Sequence, residues 1–132
     1  WPAKNSGIHV FGEPGRQICQ EAQTLVCQVF LVKQCGDTVH YYINNGVYQG
    51  FGCRVFDKQV INGQPLLLSA ELKKRIANSK LSYIWGQTCD GVDWITKNEI
   101  YPQMELGEWM IYRDMGAYNE SLECAFNGFE AP

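Results

Sequence analysis

The residues best suited to chemistry lie in Gly86-Gln87-Thr88-Cys89-Asp90-Gly91, where a thiol and a carboxylate are sequence neighbours between two glycines. A carboxylate beside a thiol disfavours the thiolate, so the pairing suits Cys89 to giving up a proton rather than to nucleophilic attack. A reaction that ends in a carbanion needs such a positioned acid. The plainer alternative is that Cys89 packs in a turn while Asp90 caps a helix running through Asp93 or Trp94. Glu13-Pro14-Gly15-Arg16 offers a second pattern: glycine permits close backbone approach, and arginine makes forked contacts with phosphate. A turn with a surface ion pair explains the same four residues. Asp57, following an apolar run, could meet a cationic amine or end a strand in solvent. Tyr118 could hydrogen-bond a phosphate through its hydroxyl or simply pack.

These side chains need rigid supports, and the chain's periodicity supplies candidates. Period-two alternation with β-branched and aromatic enrichment predicts strands at Gly7 to Phe11, Thr24 to Lys33, Thr38 to Ile43 and Val47 to Phe56. Gly36-Asp37 and Asn44-Asn45-Gly46 read as turns between them, giving an antiparallel meander. After a turn at Asn62-Gly63-Gln64-Pro65, Ser69 is placed to cap a short helix through Leu72 and Ile76 to Asn78. Leu81 to Trp85 is then a strand entering the cysteine segment. Gly107 to Tyr112 is a turn into another strand, and Asp114 to Tyr118 is the loop leaving it. The expected class is mainly β: an antiparallel sheet or partly closed Greek-key barrel without repeats or linkers.

The chain has 132 residues, 45% of them hydrophobic and 19% charged, as expected of one folded unit with a real core. A net charge of −3, with both signs interspersed, provides no basic stripe for nucleic acid. No apolar run approaches the roughly 20 residues of a membrane-spanning helix. The chain opens on Trp1 without an initiator Met, so a further upstream segment is expected. The six cysteines, Cys19, Cys27, Cys35, Cys53, Cys89 and Cys124, contain no Cys-x-x-Cys pair, and His9 and His40 stand apart, so no metal site is expected. Reduced, buried cysteine is the principal expectation for the strand-borne thiols, and a disulfide framework is the alternative.

Taken in order, Trp85-Gly86-x-Thr88-Cys89-Asp90-Gly91-x-Asp93, Met115-Gly116-Ala117-Tyr118 and Phe126-Asn127-Gly128-Phe129 resemble the C-terminal part of the eukaryotic ornithine decarboxylases. Glu13 to Arg16 and Asn44-x-Gly46-Val47-Tyr48 fall where that family has its own versions. Gln87, Gln17, Asn45 and Phe56 differ from the family's usual proline, aromatic, aspartate and tyrosine.

The resemblance implies a two-domain, pyridoxal-phosphate-dependent enzyme, an N-terminal α/β barrel followed by a β domain, working as a head-to-tail dimer. Residues 1–16 would then be the last barrel strand and its phosphate turn, and residues 17–132 the β domain. It also implies that Glu13 pairs with the cofactor's pyridine nitrogen, while Gly15, Arg16 and Tyr118 hold its phosphate. Asp57 and Asp90 would bind ornithine's distal amine, and Cys89 would reprotonate the α-carbon in the partner's site. Tyr48, Gly116 and Phe126 would lie near the dimer interface. The barrel lysine, the ring-stacking histidine and the glycine-rich phosphate loop all lie upstream in that family, so the isolated chain is expected to be inactive and to bind no cofactor alone.

Three functions remain open at this point. The chain is part of an active decarboxylase joined to or assembled with a barrel, its substrate ornithine rather than the alternatives diaminopimelate, lysine or arginine; a non-catalytic regulator of the antizyme-inhibitor kind that binds polyamines or decarboxylase subunits; or a disulfide-bonded structural domain. The first two imply a cytoplasmic protein and the third a secreted one. A bare Ile8 to Phe11 strand is an aggregation hazard, and is expected to join this domain's sheet or bury against another chain.

Overall fold

A computed structural model describes residues 7–131. The alternating segments form β1 (Leu25–Cys35), β2 (Thr38–Ile43), β3 (Gly63–Pro65), β4 (Lys80–Trp85), β5 (Trp94–Tyr101) and β6 (Trp109–Tyr112). Among the described residues three α-helices accompany them, α1 (Arg16–Cys19), α2 (Gly52–Phe56) and α3 (Ser69–Ile76), with three short 3-10 turns. The strands make one curled sheet in the order β3-β6-β1-β2-β4-β5. The mainly β expectation therefore holds, with one refinement: β2 and β4 pair parallel, while the other pairs are antiparallel. A parallel neighbour requires a long crossover, and residues 44–79 supply it.

Alternation explains which face is buried. In β2, Val39, Tyr41 and Ile43 point inward, and in β4 Ser82 and Ile84 do so. Their alternate neighbours His40, Tyr42, Tyr83 and Trp85 stack along the outer face, with His40 and Tyr83 centroids 4.6 Å apart. Cys27, Val29, Phe51, Met110 and Tyr112 complete the core, Phe51 meeting Tyr112 edge-on at 4.7 Å. The turn at Gly36-Asp37 closes a two-residue hairpin between Cys35 and Thr38, with Gly36 at φ +57°.

Four sequence expectations change. Val47 to Phe56 is a turn followed by α2, not a strand. The Gly46 carbonyl accepts hydrogen bonds from the Gln49 and Phe51 amides, and the Asn45 side chain accepts one from the Gly50 amide at 2.7 Å. Its apolar residues Val47, Phe51 and Cys53 are rich in strand formers because they line the core, not because they pleat. Helix α3 forms where expected, but its N-cap position is Leu68 and Ser69 makes no capping bond. Trp94 to Tyr101 is a strand, so Asp90 caps no helix. Gly7 to Phe11, expected as a strand, runs as irregular chain outside the domain's sheet, with Val10 57% and Phe11 83% exposed. Residues 1–6 of the expected barrel remnant lie outside the described residues.

Among the described residues all six cysteines are free thiols. Among the same residues no helix is long and apolar enough to cross a membrane, and no group of three or more His, Cys, Asp or Glu could hold a metal ion.

Candidate active site

Strand β4 ends at Trp85, and the chain turns through Gly86 to Asp93 before β5 begins. This loop presents Cys89 to solvent, its thiol receiving a hydrogen bond from the Asn127 side-chain Nδ2 at 3.4 Å. Asp90 is Cys89's neighbour in sequence but not its partner in space. Its carboxylate accepts a hydrogen bond from the Tyr48 hydroxyl and another from the Val92 amide at 3.0 Å. These bonds hold the Asp90 carboxyl below its ordinary pKa and push the Tyr48 phenol up to about 12, the hydrogen bond to Asp90 being the main cause. The ring of Tyr48 stacks on Phe126 at 4.1 Å. Cys89, Asp90, Tyr48, Phe126 and Asn127 thus form one cluster at the mouth of the loop.

What rigidifies this cluster is a residue to which the sequence reading gave no role. Asp93 is 1% exposed. One carboxylate oxygen accepts from the Val47 amide at 2.8 Å, and the other from the Thr88 amide at 2.9 Å and the Thr88 hydroxyl at 2.8 Å. It therefore ties the cysteine loop to the segment that carries Tyr48. Gly46 and Gly86 are glycine for the same reason: a Cβ at either would lie 2.3 and 2.2 Å from an Asp93 oxygen. The signal was present in the sequence, since both glycines flank the motif segments, but only folding shows what fills their missing side chains.

The second cluster gathers Gly15, Arg16, Asp57 and Tyr118. Arg16 opens α1, its guanidinium lying 5.3 Å from the Tyr118 ring centre and donating through Nε to Asp57 at 2.9 Å. A second guanidinium nitrogen also pairs with Asp57. A Cβ on Gly15 would meet the Tyr118 hydroxyl at 2.7 Å, so glycine is required there for the two to approach. Tyr118 itself has φ +57° and is 47% exposed. Gly116 is fixed against α1, where a Cβ would meet the Cys19 carbonyl oxygen at 2.1 Å. Glu13 is exposed in the irregular chain before α1. A cavity of about 300 Å³ opens beside this cluster, lined by Arg16, Cys53, Gln59, Asn62 and Arg113 among others.

The expected site residues therefore sort into two groups, and Asp57 and Asp90, expected to share one amine, stand in different ones. Among the described residues no hydrogen bond, ion pair or ring contact joins Cys89 or Asp90 directly to Arg16, Asp57 or Tyr118. One chain thus carries two separate clusters of the expected site residues.

Residues 17–116 match the family described as pyridoxal-dependent decarboxylase, C-terminal sheet domain. The chain belongs to this decarboxylase family. Ornithine decarboxylase of Rattus norvegicus is 34% identical, the alignment covering 97% of this chain and 30% of the relative. Antizyme inhibitor 2 of Xenopus laevis is 33% identical over 96% of the chain and 30% of its own length. Among solved structures, the lysine/ornithine decarboxylase of Vibrio vulnificus complexed with putrescine superposes with a TM-score of 0.78 at 31% identity, covering 90% of this chain and 30% of that one. The chain thus spans about a third of the length of the decarboxylases it matches. Gly15, Arg16 and Tyr118 bring a backbone without a Cβ, a guanidinium and a phenol hydroxyl close together, and of the three Arg16 also lines the cavity.

Proposed function

We propose that this chain is the C-terminal sheet portion of a pyridoxal-phosphate-dependent decarboxylase that converts ornithine to putrescine and carbon dioxide, and that it serves two sites of a dimer. The observation that carries the reading is the outward-facing Cys89, held on a loop that a buried carboxylate clamps, in a cluster separate from the phosphate cradle. Pyridoxal phosphate, when bound, supplies the electron sink that lets the substrate's carboxyl group leave. Gly15, Arg16 and Tyr118 would hold its phosphate, and Glu13 would pair with its ring nitrogen. Asp57 and, from the other subunit, Asp90 take the distal ammonium of the substrate. Asp57 already pairs with the Arg16 guanidinium, and the hydrogen bond from the Tyr48 hydroxyl holds the Asp90 carboxyl below its ordinary pKa, which favours its charged form for that task. The Cys89 thiol gives its proton to the α-carbon after carbon dioxide leaves and regains one from solvent, to which it is open.

The dimer follows from the two clusters, with Tyr48, Gly116 and Phe126 near the shared boundary. The barrel with the imine-forming lysine belongs to a segment outside these residues, and exposed Val10 and Phe11 are the edge that segment covers. Free thiols throughout agree with a cytoplasmic setting and lend no support to a disulfide-bonded structural role. Identity to an antizyme inhibitor admits a regulatory role as the second reading, while retention of Cys89, Asp90, Asp57 and Arg16 favours catalysis.

The test is turnover of radiolabelled ornithine by the chain joined to its barrel segment. Carbon dioxide and putrescine should appear in equal amounts, the chain alone should give neither, and Cys89→Ala should release carbon dioxide with less than one putrescine per turnover. Equal amounts from that variant would remove Cys89 from the role. No turnover by the joined protein, with binding to a decarboxylase subunit instead, would favour the regulator.

A further inference from the structure

The two clusters lack a direct contact, yet one short helix touches both. At its C-terminal end α2 delivers Asp57 to Arg16, the Asp57 amide donating to the Cys53 carbonyl at 3.1 Å. At its start the Cys53 amide donates to the Asn119 side chain at 2.9 Å, and that side chain donates back to the Met115 carbonyl at 2.8 Å. This fixes the helix to the loop that carries Tyr118. From the middle of α2, Arg54 reaches the other way. Its guanidinium lies 3.7 Å from the Trp94 ring centre and donates to the Val92 carbonyl.

Val92 is a consequential point of attachment. Its amide is one of the two donors, with the Tyr48 hydroxyl, that orient the Asp90 carboxylate, and its carbonyl also accepts from the Trp94 amide at 2.8 Å. A connected path therefore runs from Arg16 through Asp57, α2, Arg54 and Val92 to Asp90 and Tyr48. Arginine suits this place because its planar head can stack on an indole while an edge N–H donates in plane; lysine can do one or the other well, but not both. The stack lies at the edge of a cavity of about 360 Å³ that Lys58 and Lys97 also line, and Lys97 approaches the same indole at 4.5 Å. Among the described residues Arg54 makes no salt bridge; the Asp93 charge acts on it from a distance, and its direct hold on the loop comes from Val92 and Trp94.

We propose that Arg54 is a positioning residue that sets the Cys89–Asp90 loop of one site relative to Asp57 of the other, coupling the proton donor to the amine-binding acid through α2. This rests on the decarboxylase reading above for its catalytic consequence, but the structural coupling does not. The first measurement is hydrogen exchange on the 132-residue chain, comparing the parent with Arg54→Met, which keeps the apolar stem over Trp94, and with Arg54→Lys. Loss of a hydrogen bond from a charged donor should speed exchange of the Val92 and Trp94 amides about tenfold or more. The Ile84 amide in the core should be unaffected, and Arg54→Lys should fall between.

The second measurement is turnover by the chain joined to its barrel. Arg54→Met should lower kcat more than it raises KM and should drop putrescine below one per carbon dioxide, with the cofactor's absorbance unchanged and partial recovery in Arg54→Lys. Parent-like exchange at Val92 and Trp94 in Arg54→Met would overturn the coupling. Faster exchange with putrescine still equal to carbon dioxide would overturn its link to proton delivery. If the unmutated joined protein releases no carbon dioxide, the decarboxylase reading fails and exchange alone decides the role of Arg54.

Discussion

Replacing Asp93 by asparagine keeps the side chain's shape and removes its charge, which isolates what the buried carboxylate does. Three donors converge on it: the Val47 amide at 2.8 Å, the Thr88 amide at 2.9 Å and the Thr88 hydroxyl at 2.8 Å. Asparagine has one oxygen to offer, so it can serve the Val47 side or the Thr88 side. On the other side its NH₂ faces an N–H. At least one buried backbone donor is then unpaired, at about 1–3 kcal/mol, and the surviving bonds lose their charge assistance, for about 2–4 kcal/mol in all. Against a domain stability of about 5–15 kcal/mol that is a large fraction. Thermal or urea unfolding of the chain, followed by tryptophan fluorescence, should show it as a midpoint roughly 6–15 °C lower. Coupling with the glycines gives the sharper check. Gly46→Ala should be costly in the parent, where its Cβ would lie 2.3 Å from the carboxylate oxygen, and much milder in Asp93→Ala, where that volume is vacated. A destabilisation by Asp93→Asn of less than about 0.5 kcal/mol, or strict additivity of Gly46→Ala and Asp93→Ala, would refute the clamp.

Tyr48 should titrate late. A folded pKa raised from 10 to about 12 means that its bond to Asp90 stabilises the fold in full below pH 10 and is lost as pH rises through about 12. The difference in ultraviolet absorbance between the parent and Tyr48→Phe should show this midpoint, and Asp90→Asn should bring it back toward 10; a Tyr48 midpoint near 10 in the parent would contradict the bond. Brief alkylation of the native chain at pH 8 should spare Cys27, which is wholly buried with its thiol pushed up to about 12, while exposed Cys19, Cys89 and Cys124 react. Peptide mass spectrometry reads the outcome, and early modification of Cys27 would place it outside the core.

Strand-forming alternation in Thr38 to Ile43 and Leu81 to Trp85 was legible in the sequence because each side chain's face is set by a local rule, period two. The helix through Leu72 and the Gly36-Asp37 hairpin were legible for the same local reason. Val47 to Phe56 was misread because burial, not pleating, selected its apolar residues, and sequence alone does not separate those causes. Gly7 to Phe11 has a strand's composition but no strand beside it here, and pairing is never a property of one segment.

The same division holds for the site. The order of Cys89-Asp90, Gly116-Ala117-Tyr118 and Phe126-Asn127-Gly128 in the sequence was enough to indicate the family and the kinds of chemistry its residues can do, because identity and order are one-dimensional. Contacts that depend on how the chain folds back on itself are not. That Asp90 turns from Cys89 to Tyr48, that Asp57 meets Arg16, that Asp93 fills the space left by Gly46 and Gly86, and that Arg54 links the two clusters was decided only when the β2–β4 pairing and the packing of α2 brought distant backbone together.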